Sequence, residues 1–176
     1  MRITVQIGNR SRILICFTLL LLISNVNAQT KDPTKGDNTG LDIPRFVSAK
    51  SNKINVRRGP SSTYKIDWVY RMVGIPLKVI AEYENWRQVV DYEGQGGWVH
   101  SRLLSGNRFV IFISEGTLLK RKPNIKSPDI AIVEKGVIAE LLSVSGRWCQ
   151  VTIDGYSGWA QRKNVWGLLA EEQLKN

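Results

Sequence analysis

The chain contains the same pattern twice. INVRRGPSS (54–62), Gly74, NWRQV (85–89) and GGWVHSRLLSG (96–106) return as TLLKRKPNI (117–125), Gly136, RWCQV (147–151) and SGWAQRKNVWG (157–167). Pro60 falls on Pro123, Trp86 on Trp148 and Trp98 on Trp159, at offsets of 63, 62 and 61 residues. Two one-residue gaps therefore align the copies, and tryptophans in register make chance similarity a poor explanation. One unit of about sixty residues is built twice. A unit that small buries little surface, so aromatic side chains must supply much of each core.

Each copy reads as short strands. Ile54 and Val56 alternate with polar neighbours; Leu77, Val79 and Ala81 share one face; Trp86, Gln88 and Val90 lie opposite Arg87 and Val89. Glu84-Asn85 and Glu93 to Gly97 are hairpin connections, matched by Ser145-Gly146 and Asp154-Gly155. Arg58-Gly59-Pro60-Ser61 is a turn fixed by its proline. The glycines of DYEGQGG (91–97) lead into the β-prone Trp98-Val99-His100, so they are turn residues and not a phosphate cradle, which needs a helix N-terminus behind it. No dozen-residue stretch after Phe46 keeps a helical period. The expected fold class is all-β.

The ends differ from this core. Residues 1–28 combine Arg2, Arg10 and Arg12, an apolar run from Ile13 to Ile23 and a Val26-Asn27-Ala28 site, the pattern of a cleaved signal peptide. The apolar run is short of the ~20 residues a membrane span needs, so no stable membrane anchor is expected. Export to the periplasm, cell surface or medium is expected. Residues 29–45, polar with two prolines, read as a flexible linker. The tail, 168–176, has room for one or two helical turns. Of the two cysteines only Cys149 survives cleavage, which excludes an intramolecular disulfide. The net charge of +10 becomes +7 without the leader's three arginines. That balance favours an anionic surface as a neighbour, or only keeps the protein soluble. Nucleic acid suits an exported protein poorly.

Asn55-Val56-Arg57-Arg58-Gly59-Pro60-Ser61, a glycine about fifteen residues on, a Trp-x-x-Val strand and Gly97-Trp98-Val99 resemble the bacterial SH3-like domain. The likeness covers 46–167, with one domain at 46–106 and a second at 109–167 joined through Asn107 and Arg108. The second copy has Leu118 and Lys122 where the first has Asn55 and Gly59, so its first turn departs from the pattern. The resemblance implies two small SH3-like barrels in tandem, each strongly bent and of five or six strands. It also implies a role in binding cell-wall peptides.

Candidate binding residues follow from the difference between the copies. Tyr64, Trp68 and Tyr70 stand against Ser127, Ala131 and Val133, and a binding face can exist in one copy only. Exposed aromatics beside cations suit extended peptides and sugars. Trp86 follows a turn at a strand start and belongs to either groove or core. Trp98 and Trp159 read as core or turn-packing residues. Arg57 and Arg58, matched by Lys120, Arg121 and Lys122, are either a solvated strand edge or an anion-facing strip. Enzyme chemistry has little footing, because His100 and Cys149 fall at non-equivalent positions in different copies. No metal-ligand spacing occurs, and no cofactor is expected. Three readings stay open: a non-catalytic module binding cell-wall peptide or an envelope-protein peptide, a scaffold whose barrels dock to an envelope partner, and a small hydrolase.

Overall fold

The computed structural model describes residues 34–174, and the signal-peptide reading of 1–28 lies outside them. A short hairpin, β1 (Thr34–Lys35) and β2 (Asp42–Ile43), comes first. The first barrel comprises β3 (Arg45–Ala49), β4 (Ile54–Arg57), β5 (Ile66–Tyr70), β6 (Pro76–Tyr83), β7 (Trp86–Val90), β8 (Gly96–His100) and β9 (Leu104–Ser105). The second comprises β10 (Phe109–Phe112), β11 (Thr117–Lys120), β12 (Asp129–Val133), β13 (Ile138–Ser145), β14 (Trp148–Ile153), β15 (Tyr156–Gln161) and β16 (Val165–Trp166). The sheet orders are β5-β4-β8-β7-β6-β3-β9 and β12-β11-β15-β14-β13-β10-β16, so the repeat in sequence is a repeat in topology. Seven strands exceed the five or six implied by resemblance, because the two-residue β9 and β16 close each sheet onto β3 and β10.

The cores correspond position by position. Val56, Leu77, Val79, Val89 and Val99 are fully buried in the first barrel, and Leu119, Ala139, Leu141, Val151 and Ala160 are buried in the second. Trp98 and Trp159 are not core residues: both are half-buried, paired across the sheet with Gln88 and Gln150, while Val99 and Ala160 beside them face inward. Strand alternation sends the neighbour of a core residue to the other face. The glycines before Trp98 divide by role. Gly94 has φ of 81° and makes the turn. Gly96 already lies in β8, where a Cβ would come within 2.4 Å of the Val89 carbonyl oxygen.

One polar cross-strand pair of the first barrel becomes apolar in the second. Glu82 and Arg87 face each other there, as Val144 and Cys149 do in the other sheet. The Cys149 thiol is buried, and burial pushes its pKa up to about 12. Glu82 corrects the flexible-linker reading of 29–45 over its described part. Its carboxylate accepts hydrogen bonds from the backbone N–H groups of Asn38 and Thr39 and from the Thr39 hydroxyl, at 3.2, 3.0 and 2.8 Å. The hairpin is thereby fastened to β6. The tail is fastened too, and shows no helical turn through Leu174. Val144 N–H donates to the Leu174 carbonyl at 2.8 Å, and Leu174 packs on the second core.

Candidate functional site

Each barrel has an open cleft in the same place. In the first it lies between the turn at Pro60, Ser61 and Ser62 and the β6–β7 hairpin turn at Glu84 and Asn85, with Trp86, His100 and Arg102 along it. In the second, Pro123, Arg147, Trp148, Gln161 and Lys163 stand where Pro60, Asn85, Trp86, His100 and Arg102 do. The two clefts measure about 550 and 860 Å³. Proline sets each turn because its ring fixes φ.

The walls are held by matching bonds. A one-turn 3-10 helix, Ser101–Leu103, docks on the hairpin turn through Ser101 N–H to the Asn85 carbonyl, 2.8 Å. The second barrel repeats it with Arg162 N–H to the Arg147 carbonyl, 2.9 Å. Glu84 takes φ of 47°, rare for a side-chain-bearing residue, and its carbonyl accepts from Arg87 at 2.8 Å. Trp86 meets His100 edge-on, with centroids 5.2 Å apart. His100 Nδ1 accepts the Arg102 N–H at 3.3 Å, which assigns the ring proton to Nε2 in the neutral form. Burial, then the nearby Arg102 and Arg87, lower the His100 pKa. Neither Arg102 nor Lys163 forms an ion pair among the described residues.

The six residues singled out in the sequence do not meet at one place. Trp86 alone lines this cleft. Arg57 and Arg58 border a smaller hollow of about 390 Å³ with Asp67, Gln88 and Trp98. Arg58 Nε is 2.7 Å from Asp67, and Arg57 donates to the Tyr64 carbonyl at 2.5 Å, so the basic strip is partly committed to its own loop. Tyr64 is 49% exposed, with its ring against Gly59, where a Cβ would sit 2.6 Å from it. Trp68 and Tyr70 instead pack on the first core, edge to face with centroids 6.5 Å apart. The Tyr70 hydroxyl donates to Asp91 at 2.8 Å; burial and this bond raise its pKa. Tyr83, Asn85, His100 and Arg102 were missed. The aligned copies held a signal for three of them, since Asn85, His100 and Arg102 match Arg147, Gln161 and Lys163 around shared tryptophans.

Among the described residues, His100 lies in one sheet and buried Cys149 in the other, so the two are not brought together. Among the described residues no group of three His, Cys, Asp or Glu is placed to hold a metal ion. None of their helices is long and apolar enough to cross a membrane. Two like barrels with like clefts define a tandem SH3-like protein. The model described as the bacterial SH3 domain matches residues 50–106 and 115–167, and the chain belongs to that family.

No curated protein sequence matches the chain. Among solved structures, NlpC2 from Trichomonas vaginalis is similar at 10% identity and a TM-score of 0.32, covering 70% of this chain and 48% of that one. An NlpC/P60 family protein from Bacillus cereus ATCC 10987 is 14% identical with a TM-score of 0.32, over 69% of this chain and 55% of the other. NlpC1 from Trichomonas vaginalis is 9% identical with a TM-score of 0.31, over 74% and 48%. This chain spans about half the length of those chains.

Proposed function

We propose that this is an exported, non-catalytic binding module that grips a peptide of the cell wall. The observation that carries the reading is the recurrence of one cleft in both repeats, with proline, tryptophan and a cation at matched positions. A groove with an aromatic wall accepts an extended chain, and Arg102 or Lys163 at the rim suits a peptide carboxylate. Tyr64, exposed on the same loop as Pro60, is the one of the three first-barrel aromatics still open to a partner. Arg57 and Arg58 supply long-range attraction to an anionic polymer. An extended peptide of an envelope protein would fit by the same chemistry.

Pull-down on purified cell-wall sacculi tests this. Capture should weaken roughly ten-fold on Trp86→Ala, as groove aromatics dominate small interfaces. It should fall further as salt rises above about 0.15 M, where screening acts within ~8 Å. Equal capture by the wild type and the Trp86→Ala, Trp148→Ala double variant would sink the proposal.

A further inference from the structure

The two barrels differ most on the edge strands β5 and β12. Trp68 and Tyr70 lie opposite Val56 and Ile54; in the same register Ala131 and Val133 lie opposite Leu119 and Thr117. In the first barrel Tyr70 covers one side of the core and is tied to Asp91, which also accepts N–H bonds from Glu93 and Gln95 at 3.0 and 2.9 Å. In the second, Val133 replaces the tyrosine and Ile153 replaces the aspartate. The aromatic plug and its anchor are both gone.

What remains is an apolar cleft of about 350 Å³, walled by Leu119, Ala131, Val133, Val137, Ile153 and Tyr156. Large apolar side chains stand open around it: Ile132 is 70% exposed and Tyr156 75%. β12 is the terminal strand of its sheet, so its outer backbone groups have no strand partner among the described residues. Such an edge is a template for an added strand. The rim carries Glu134 and Asp154, and neither forms an ion pair among the described residues. In a chain of net charge +10 this is a locally acidic border on an apolar slot.

We infer that β12 is a docking edge for an extended peptide of another protein, one that inserts an aromatic side chain where Tyr70 sits in the first barrel. The peptide carries basic residues two positions either side of that aromatic, on the same face of the strand, where they meet Glu134 and Asp154. The internal repeat names the missing group, an aromatic ring, and the rim charge names its neighbours. This surface belongs to the second barrel alone and is separate from the clefts at Pro60 and Pro123.

The test uses the full chain and the peptide acetyl-Lys-Thr-Tyr-Thr-Lys-amide, followed by amide chemical shifts. Binding should move resonances of 129–134 and 153–156. A peptide with alanine for tyrosine should bind at least ten-fold more weakly, and one with glutamate for lysine should also lose affinity. The double variant Val133→Tyr, Ile153→Asp rebuilds the first barrel's plug and should abolish binding. Ile132→Lys, at a position 70% exposed, should weaken it at least five-fold and serves if the double variant misfolds. Absence of these shifts at millimolar peptide overturns the inference, as does binding indifferent to both Ile132→Lys and the tyrosine. A concentration-dependent dimer abolished by Ile132→Lys, without peptide binding, would equally overturn it by showing that a second copy covers the edge.

Discussion

Phe46 of β3 meets Trp166 of β16 edge to face, with ring centroids 4.8 Å apart and planes at 89°. The first strand of one barrel thus packs against the last strand of the other. Arg108, in the connection between β9 and β10, holds its guanidinium 5.8 Å from the Phe46 ring centroid and binds both Glu172 and the Gly167 carbonyl. Ser48 donates to the Asn107 carbonyl at 2.8 Å, and Gly74 leaves room for the Phe109 ring, 3.1 Å from where its Cβ would stand. Connection, tail and both barrels meet at this seam.

Phe46→Ala should therefore uncouple the barrels. Phe46 is 7% exposed, and removing a buried phenylalanine costs about 3–5 kcal/mol. Calorimetry should show one unfolding transition split into two; a single transition shifted as a whole would show that the seam does not couple them.

Trp68→Ala and Tyr64→Ala should differ sharply in urea. Trp68 is packed on the core and should cost about 2–4 kcal/mol, less than full burial would give. Tyr64 is half exposed and should cost under about 1 kcal/mol. Equal losses would contradict the placement of these two rings.

Tyr70→Phe keeps the plug and deletes its hydrogen bond to buried Asp91. The expected loss is about 1–2 kcal/mol, since the carboxylate retains its two backbone donors. An unchanged urea midpoint would show that the phenol contributes only by its ring.

Acid should release the N-terminal hairpin. Burial by itself would raise the Glu82 pKa, but hydrogen bonds from Thr39 and Arg45 and the charges of Arg87 and Arg45 outweigh it and hold the group below 4.5. A lowered carboxyl pKa contributes stability that is complete above pH 4.5 and is lost as pH falls through the folded value. Hydrogen exchange at Asn38 and Thr39 should accelerate in that window, and Glu82→Gln should show the fast rate already at pH 7. Slow exchange in Glu82→Gln would locate the anchor elsewhere.

Cys149 should resist a thiol reagent in the native state. Its side chain is buried and its pKa is about 12, so thiolate and access are both withheld. Labelling should follow global unfolding across a urea series; rapid labelling without urea would contradict the burial.

The sequence by itself determined the two units, their strand pattern and the common family, because periodic apolar residues and turn glycines act through neighbours a few positions away. It did not distinguish an aromatic that plugs from one that binds. Tyr70 is a plug because Asp91, 21 residues on, is folded back to receive its hydroxyl. Residues 34–43 become a fastened hairpin because Glu82, some 44 residues beyond Asn38, presents a carboxylate to it. Trp98 turned outward because the pleat gave the inward place to Val99. His100 joined Trp86 only when β7 and β8 paired. Local pattern fixes which face a residue can take, whereas desolvation and long-range partners, which exist only in the folded barrel, decide what that face meets.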